Sequence, residues 1–470
     1  MNYKEETTRV YPTQHEHYEI LQIKRLAENV YKMPSDCLEI QTTVARYVRR
    51  QSDELQLFHT RLPSDIEAYQ LACLSKLVDD AFMQVPFYRE LYQNVGYELG
   101  GIRSFSDFKC LPIINKKSLA NVSEAFRVSN PSNISQVHTL RTSGSSGVPF
   151  TVFRDDDYLI KEHAQYLRFY SDCLETPLQE NDWIYLIHHS GLLVSSLLGK
   201  YRIFQLPDLL PDTPLGQHLL LMRPRLLVVL PSYLPLLVAH KKEINDSGVE
   251  AILVNSESST AQERAYYSTV LGVPIFDEYS SVEIALMATQ CRHGPYHVIE
   301  DSAYMELINV EESGFGSVVA TDLKHSFMPM IRYDHGDLAK LDDSPSICQC
   351  GRSSISFSDI NGRRDDAFRT RDLKIIPSAS LLAILDATLV DEDFALVNYR
   401  LVQEAADTVA LLTVYKGQPY LPMVQIINSI RQQLSSIFGY EITLTHHELT
   451  ALPEKKSYKR KSIVNEWLIA

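Results

Sequence analysis

No segment of this 470-residue chain approaches the ~20 consecutive apolar residues that a membrane-spanning helix requires. Its most apolar stretch, residues 219–239, is broken by Arg223, Pro224, Arg225, Pro231 and Pro235 and reads as buried core. The opening MNYKEETTRVYPTQ lacks the apolar centre of a signal peptide. Positive charge is in deficit: 45 Lys and Arg stand against 59 Asp and Glu, for a formal net charge of -14. Such a surface repels phosphate backbones and anionic lipid, so neither nucleic acid nor a membrane is expected as a partner. The run KKSYKRK (455–461) is a local basic exception. Cysteine is scarce as well, with seven residues at irregular spacing, which argues against a disulfide framework. These absences together predict a cytoplasmic protein. Cys37, Cys73, Cys110 and Cys173 stand alone and read as small buried hydrophobes.

What is present describes a folded, multi-part enzyme-sized chain. Hydrophobic residues make up 45% and charged residues 22%, which excludes global disorder. The length exceeds the roughly 250–300 residues that one core sustains, so a large domain and at least one smaller one are expected. Residues 15–100 show helical periodicity, with Pro86 starting a new helix. From about 135, short apolar runs (WIYLI 183–187, RLLVVL 225–230, AILVN 251–255, PIF 274–276) alternate with helical segments, the pattern of parallel strands with crossovers. AYMELINV and SVVATDL, separated by EESGFG, read as an antiparallel hairpin. The charged stretch NGRRDDAFRTRD, near 362–368, reads as a boundary, beyond which strand, strand, helix and strand suggest a small α+β domain. The class is α/β. The expected division is a helical extension (1–70), a large domain (71–364) and a mobile small C-terminal domain (365–470). There is no internal repeat and no low-complexity linker.

The sharpest motif is RTSGSSGVP (141–149), where Thr142, Ser143, Gly144, Ser145, Ser146 and Gly147 crowd hydroxyls and glycines together. Glycine allows tight turning, and free N–H groups in such a loop form an anion nest. A flexible surface turn is the plain alternative for this loop by itself. The strand-like TVF that follows and the lack of GK[ST] argue against a Walker loop. TSGSSGVP resembles the phosphate loop of adenylate-forming enzymes. With VPFYRELY (85–92) and LPIINKKSL (111–119), the chain from about residue 70 is similar to the phenylacetate–CoA ligase family and its capsule-biosynthesis-associated relatives. The resemblance implies a multi-layer large domain of parallel sheets and helices, ATP and Mg2+ as cofactors, and an acyl-adenylate intermediate.

The same resemblance assigns roles by position. FDEYSSVE (276–283) is similar to the family's aromatic–Gly–x–Thr–Glu motif: Tyr279 would stack on adenine, Ser280 takes the glycine position, and Glu283 would hold magnesium, a catalytic role. Val282 replaces the usual Thr. IRYDHGDL (331–338) implies that Asp337 grips the ribose hydroxyls. NGRRDD (361–366) implies that Arg363 contacts ribose or phosphate and that Asp365 and Asp366 lie at the swivel point of the small domain. NSES (255–258) places Ser256 and Glu257 at the nucleotide edge, and PSYL (231–234) lies beside the acyl pocket. Near the C-terminus, LPEKKSYKRK aligns Lys459 with the catalytic lysine that bridges carboxylate and phosphate; Lys455, Lys456 and Lys461 compete, and Tyr458 stands where the family has Gly. His188 and His189 read as core histidines, with acyl-pocket lining as the alternative.

A second constellation is a zinc candidate. CQCG (348–351) and CRHGPYH (291–297) supply Cys291, His297, Cys348 and Cys350, a closed four-ligand N/S set of structural type, with His293 as the alternative imidazole. Relatives in the family carry a similar pattern.

The reading is an AMP-forming acid ligase. Its substrate is a small carboxylic acid, and the 26 Tyr and 17 Phe are compatible with an aromatic one. The acceptor is a thiol, coenzyme A (CoA) or a carrier protein, or an amine. Asp372 stands where the family has a turn-forming Gly near the thiol tunnel, which keeps the amine open. A homodimer is compatible with the sequence. Two other classes remain: a degenerate adenylate-binding interaction protein, and a nucleotidyltransferase that leaves AMP on its product.

Overall fold

The computed structural model describes residues 58–141, 150–176, 178, 182–188, 191–195, 202–204, 215–312, 314–342, 347–364, 366–389, 396–415, 421–453 and 462–467. The glycine-rich loop expected to bind phosphate, with Thr142, Ser143, Gly144, Ser145, Ser146 and Gly147, the lysines Lys455, Lys456, Lys459 and Lys461, and Cys37, His189 and Asp365 lie outside these residues, as does most of the expected extension.

Helices α1 (Pro63–Gln84) and α2 (Pro86–Gln93) come first, and Pro86 separates them as the sequence predicts. Proline suits a first helical turn because its missing N–H would be unpaired there anyway. The short α3 (Lys116–Ala120) starts on a reciprocal cap in which Asn115 Oδ1 accepts from Ser118 N at 3.0 Å and Ser118 Oγ accepts from Asn115 N at 2.9 Å. The hairpin strands β1 (His138–Arg141) and β2 (Thr151–Arg154) flank the glycine-rich loop. Helix α4 (Asp156–Asp172) follows, N-capped by Asp155.

The parallel strands are β3 (Ile184–His188), β4 (Leu226–Val229), β5 (Ala251–Val254) and β6 (Ile275–Ser281), paired in that order. Their apolar runs split by parity. Tyr185, Leu227, Val229, Ile252 and Val254 enter one core; Ile184, Leu226, Val228, Ala251 and Leu253 enter another on the opposite face, against α4. This period of two explains why the runs carry no polar residues: both faces of the sheet are covered. Helix α5 (Ala261–Leu271) connects β5 to β6 and ends at Gly272, which has the left-handed φ of +78° that favours glycine.

At β6 the sheet changes sense. β7 (Ala285–Gln290), β8 (Tyr296–Val298), β9 (Ala303–Ile308), β10 (Phe315–Asp322), β11 (Tyr333–Leu341) and β12 (Ser356–Arg363) are antiparallel, and the predicted hairpin is β9–β10. The strand order is β9-β10-β11-β12-β8-β7-β6-β5-β4-β3, extended at the β3 edge by Gly191–Ser195 and Arg202–Phe204. Helices α1 and α2 cover the antiparallel half. Tyr88 is fully buried there, and its hydroxyl donates to Pro329 O at 2.8 Å and accepts from Ile331 N at 3.0 Å. Burying an aromatic of this kind contributes about 1.5–3 kcal/mol, and the two bonds keep its polar tip satisfied.

The C-terminal residues build their own core. Helices α6 (Ser378–Leu389) and α7 (Met423–Phe438) pack on a sheet ordered β15 (Thr443–Glu448), β14 (Thr408–Tyr415), β13 (Leu396–Ala405) and β16 (Ile463–Asn465). The start of α6 approaches β12 at Gly362, whose φ is +41° and where a Cβ would lie 2.9 Å from Ser378 Cβ. The fold is α/β with a large mixed sheet and helices. Cys173 is buried as expected, Cys73 is half-buried, and Cys110 is exposed, which corrects the reading of Cys110 as a core residue: it ends the short helix Phe105–Lys109 and points outward.

Candidate active site

A cleft of about 700 Å3 opens at the carboxyl ends of the parallel strands, where β6 turns the sheet antiparallel. Such switch points leave a crevice between diverging connections. The segments after β5 and within β6, β11 and β12 all reach it, so motifs far apart in sequence share one wall.

Tyr279, Asp337, Glu283 and Arg363 converge there. The Tyr279 hydroxyl donates to Asp337 Oδ2 at 2.7 Å, which ties the expected adenine platform to the expected ribose carboxylate. Burial raises the Asp337 carboxyl above its ordinary range, opposed by the His335 and Arg363 charges. Burial pushes His335 down, with the Asp337 and Glu283 charges opposing it; its Nε2 lies 3.2 Å from Ser281 Oγ. Glu283 Oε1 accepts from the Tyr333 hydroxyl at 3.2 Å. Arg363 pairs across the ladder with Asp337, and its exposed guanidinium lines the cleft. The adjacent Arg364 also lines the cleft, its guanidinium bound to Asp334 Oδ2 and Ser317 Oγ at 2.9 Å each. The two arginines differ in that Arg364 is engaged by Asp334 and Ser317.

Ser256, Glu257 and Ser280 also line the cleft. Ser256 adopts φ of +65°, a conformation that costs a non-glycine residue about 1–2 kcal/mol. Glu257 Oε2 accepts from Ser232 N at 3.0 Å, joining NSES to PSYL. Asp366 lies at the rim, while Ser378, Leu382, Ser462 and Ile463 reach the cleft from the C-terminal part. Ser462 is the first described residue after the segment that holds Lys459. The side chain of His188 is not among the described ones.

Sequence reading missed Lys116. The cap at Asn115 starts α3 at this lysine, and the parallel pair Ile114↔Tyr333 carries it to the cleft beside Glu283 and Arg363. Burial lowers its ammonium below the usual range, with Glu283 opposing that shift. Arg332 braces the approach: it ion-pairs with Glu306 at 2.9 Å and donates to the carbonyls of Lys109 and Leu111. The signal was in the sequence, a lysine directly after an N-cap, but nothing linear linked it to residue 283.

The turn at Asp372 also differs from expectation. A tight turn joins Phe368–Arg369 to Ile375–Ile376, and Leu373, with φ of +61°, takes the left-handed position. The absent glycine therefore does not remove the turn.

Away from the cleft, Cys291, His297, Cys348 and Cys350 come together, with ligand atoms all within 4.8 Å of one another. Cys291 Sγ and Cys348 Sγ are 3.8 Å apart, and Cys350 Sγ is 3.3 Å from His297 Nε2. Four ligands tetrahedrally arranged at Zn–S ≈ 2.3 Å imply sulfurs about 3.8 Å apart, so the set fits the ion. His297 Nδ1 lies 3.2 Å from Ser354 Oγ, a contact that orients the ring. His293 is not in the cluster.

No family model matches the chain. It is similar to the phenylacetate-coenzyme A ligase of Thermus thermophilus, 24% identical over 423 residues that cover 85% of this chain and 90% of that enzyme. The phenylacetate-coenzyme A ligase of Aromatoleum evansii is 24% identical over 337 residues, covering 67% of this chain and 74% of that enzyme. Among solved structures, 2-hydroxyisobutyryl-CoA ligase in its postadenylation state with R3-HIB-AMP superposes with a TM-score of 0.67 at 18% identity, covering 87% of this chain and 91% of that one. The same ligase with 2-HIB-AMP and CoA in the thioesterification state gives 0.54 over 87% of this chain and 91% of that one, at 18% identity.

Proposed function

From its resemblance to the phenylacetate–CoA ligases over most of the chain, we propose that this protein is an AMP-forming acid–thiol ligase. The observation that carries the reading is the convergence of Tyr279, Asp337, Glu283, Arg363 and Lys116 on one cleft. An aromatic face, a diol-binding carboxylate, a magnesium-binding carboxylate and two cations are what an adenylation site needs. The substrate carboxylate attacks the α-phosphorus of ATP; a C–O–P bond forms, the bond to pyrophosphate breaks, and acyl-AMP results. A thiol then attacks the acyl carbon, a thioester forms, and AMP leaves with the pair of electrons. CoA is the thiol favoured, because the relatives named above are CoA ligases. No observation favours a carrier protein or an amine.

Adenylation develops charge between carboxylate and phosphate, and preorganised groups lower its cost. Magnesium neutralises phosphate charge when bound, and Glu283 would hold it. Lys116 and Arg363 are placed for phosphate or ribose oxygens. Lys459 would bridge the carboxylate and the α-phosphate, a role supported by Ser462 three residues on lining the cleft. The Cys291–His297–Cys348–Cys350 cluster would hold a structural zinc.

The test is pyrophosphate release from ATP with a panel of aryl, fatty and substituted acids, followed by CoA addition. Acid-dependent release that falls about 10²-fold or more in Lys459→Ala supports the ligase. ATP binding without release for any acid would sink it. Lys116→Ala is expected to lower kcat/KM for adenylation by roughly 10²-fold with the melting temperature unchanged. Lys116→Arg should recover part of the rate. If Lys116→Ala left kcat/KM intact, the lysine would be a rim charge only.

A further inference from the structure

The wall of the cleft beside Tyr279 contains a buried acid that the adenylation chemistry does not use. Glu278 precedes Tyr279 on β6 and is 7% exposed. Its Oε1 accepts from Asn255 Nδ2 at 3.3 Å and from Ser280 Oγ at 3.1 Å. Its Oε2 is buried and has no hydrogen-bond partner among the described residues. Glu278, Asn255 and Ser280 all line the cleft, together with Tyr166 and Glu162 of α4 and Arg154 of β2.

The neighbouring charges of Arg154, Glu162 and Asp277 are matched. Arg154 Nη1 binds both oxygens of Glu162, at 2.7 and 2.6 Å, and its Nη2 donates to Val282 O at 2.6 Å. Asp277 points toward Arg264 and the Tyr296 hydroxyl, at 3.2 and 2.7 Å. Glu278 is bound to no cation among the described residues. A buried carboxyl oxygen without a donor costs about 1–3 kcal/mol, so a donor supplied by a ligand is favoured at that point. An apolar acyl tail placed against it would leave that cost in force.

We infer that the acid activated by this enzyme carries a hydrogen-bond donor away from its carboxyl group, an amino group or a hydroxyl, received by Glu278 Oε2. This rests on the ligase reading and names the substrate class within it. The amino group is the better match, since Glu278 lacks a counter-charge and an ammonium supplies one. Burial, with Asp277 and Glu162 adding to it, pushes the Glu278 carboxyl up to about 8, while bonds from Ser280 and Asn255 act the other way. Tyr166 and Cys173 are the other titratable groups facing it, both raised by burial and neutral at pH 7. Below pH 8 the empty site is therefore largely neutral and the ammonium must bind with loss of the Glu278 proton.

The experiment uses the full chain and matched acids of one skeleton bearing an amino group, a hydroxyl or a methyl. Pyrophosphate release and direct calorimetric binding are measured for wild type, Glu278→Gln and Glu278→Leu. Wild type should prefer the amino or hydroxy acid over the methyl acid by roughly 10- to 100-fold in kcat/KM, the size of a charge-assisted hydrogen bond. Glu278→Leu should invert the preference by gaining on the methyl acid, a gain that misfolding cannot produce. For the amino acid, wild-type KM should fall as pH rises toward 8, and Glu278→Gln should abolish that slope; the hydroxy acid distinguishes a neutral donor by lacking it. If the methyl acid is activated as well as the others and Glu278→Leu changes nothing, this inference is overturned and the ligase reading stands. If no acid drives release yet the amino or hydroxy acid binds in a Glu278-dependent way, the ligase reading falls and the chamber's chemistry holds.

Discussion

Glu283→Ala should lower acid-dependent pyrophosphate release by about 10²- to 10³-fold, the usual cost of losing one preorganised electrostatic partner of a developing charge. The side chain lines the cleft, and its hydrogen bond is with the Tyr333 hydroxyl at 3.2 Å, so little of the fold rests on it. Thermal stability is expected to change by less than about 1 kcal/mol in consequence. Lys116 is among the groups affected. Glu283 opposes the burial that lowers the lysine's ammonium, so its removal leaves Lys116 lower still. Glu283→Asp, which keeps a hard oxygen ligand, should retain part of the rate and recover more at high magnesium. Equal activity of Glu283→Ala and wild type across magnesium concentrations would show that the carboxylate holds no metal.

Loss of zinc should damage the fold rather than the chemistry. The purified chain is expected to contain one zinc per molecule, and Cys348→Ser or Cys350→Ser should lose it and about 4 kcal/mol or more of stability. Two tight turns hold the thiols: Cys291 N donates to Pro295 O at 2.9 Å and Cys348 N to Arg352 O at 3.0 Å. Gly294 and Gly351 sit at their left-handed positions. The cluster joins β7, β8 and the turn before β12. Arg352 then continues to Asp172 at the end of α4 at 2.5 Å, and Arg292 donates to Cys173 O at 3.3 Å. Any loss of adenylation in these variants should track unfolding, with residual folded protein keeping its KM. Metal analysis that finds no zinc in fully active protein would remove the ion from this account, and unchanged melting of Cys348→Ser would do the same.

The parts of the site that sequence revealed are those whose chemistry is local. FDEYSSVE and IRYDHGDL each carry a recognisable order of side chains because a strand end presents neighbours to one ligand. The parallel strands were legible because a sheet covered on both faces must be apolar throughout. The zinc candidate was legible in composition, and so was the choice of His297 over His293, because the apolar alternation leads position 297 into a strand; β8 carries it toward Cys350 and leaves 293 in the preceding turn. Cys110 was misread because a lone cysteine gives no directional signal.

What the sequence determined by itself was the α/β class, the order of the motifs proposed to bind nucleotide and the acidic, span-free character of the chain. These depend on spacing and on transfer of apolar groups from water, which act between near neighbours. The tertiary structure alone decided which groups meet. Lys116 reaches Glu283 through the pairing of Ile114 with Tyr333; Arg364 lines the cleft tied to Asp334; Glu278 keeps one oxygen without a partner among the described residues, while Arg154 is held by Glu162. Those outcomes turn on register and on competition among charges from distant segments, and neither is written in the spacing of residues along one chain.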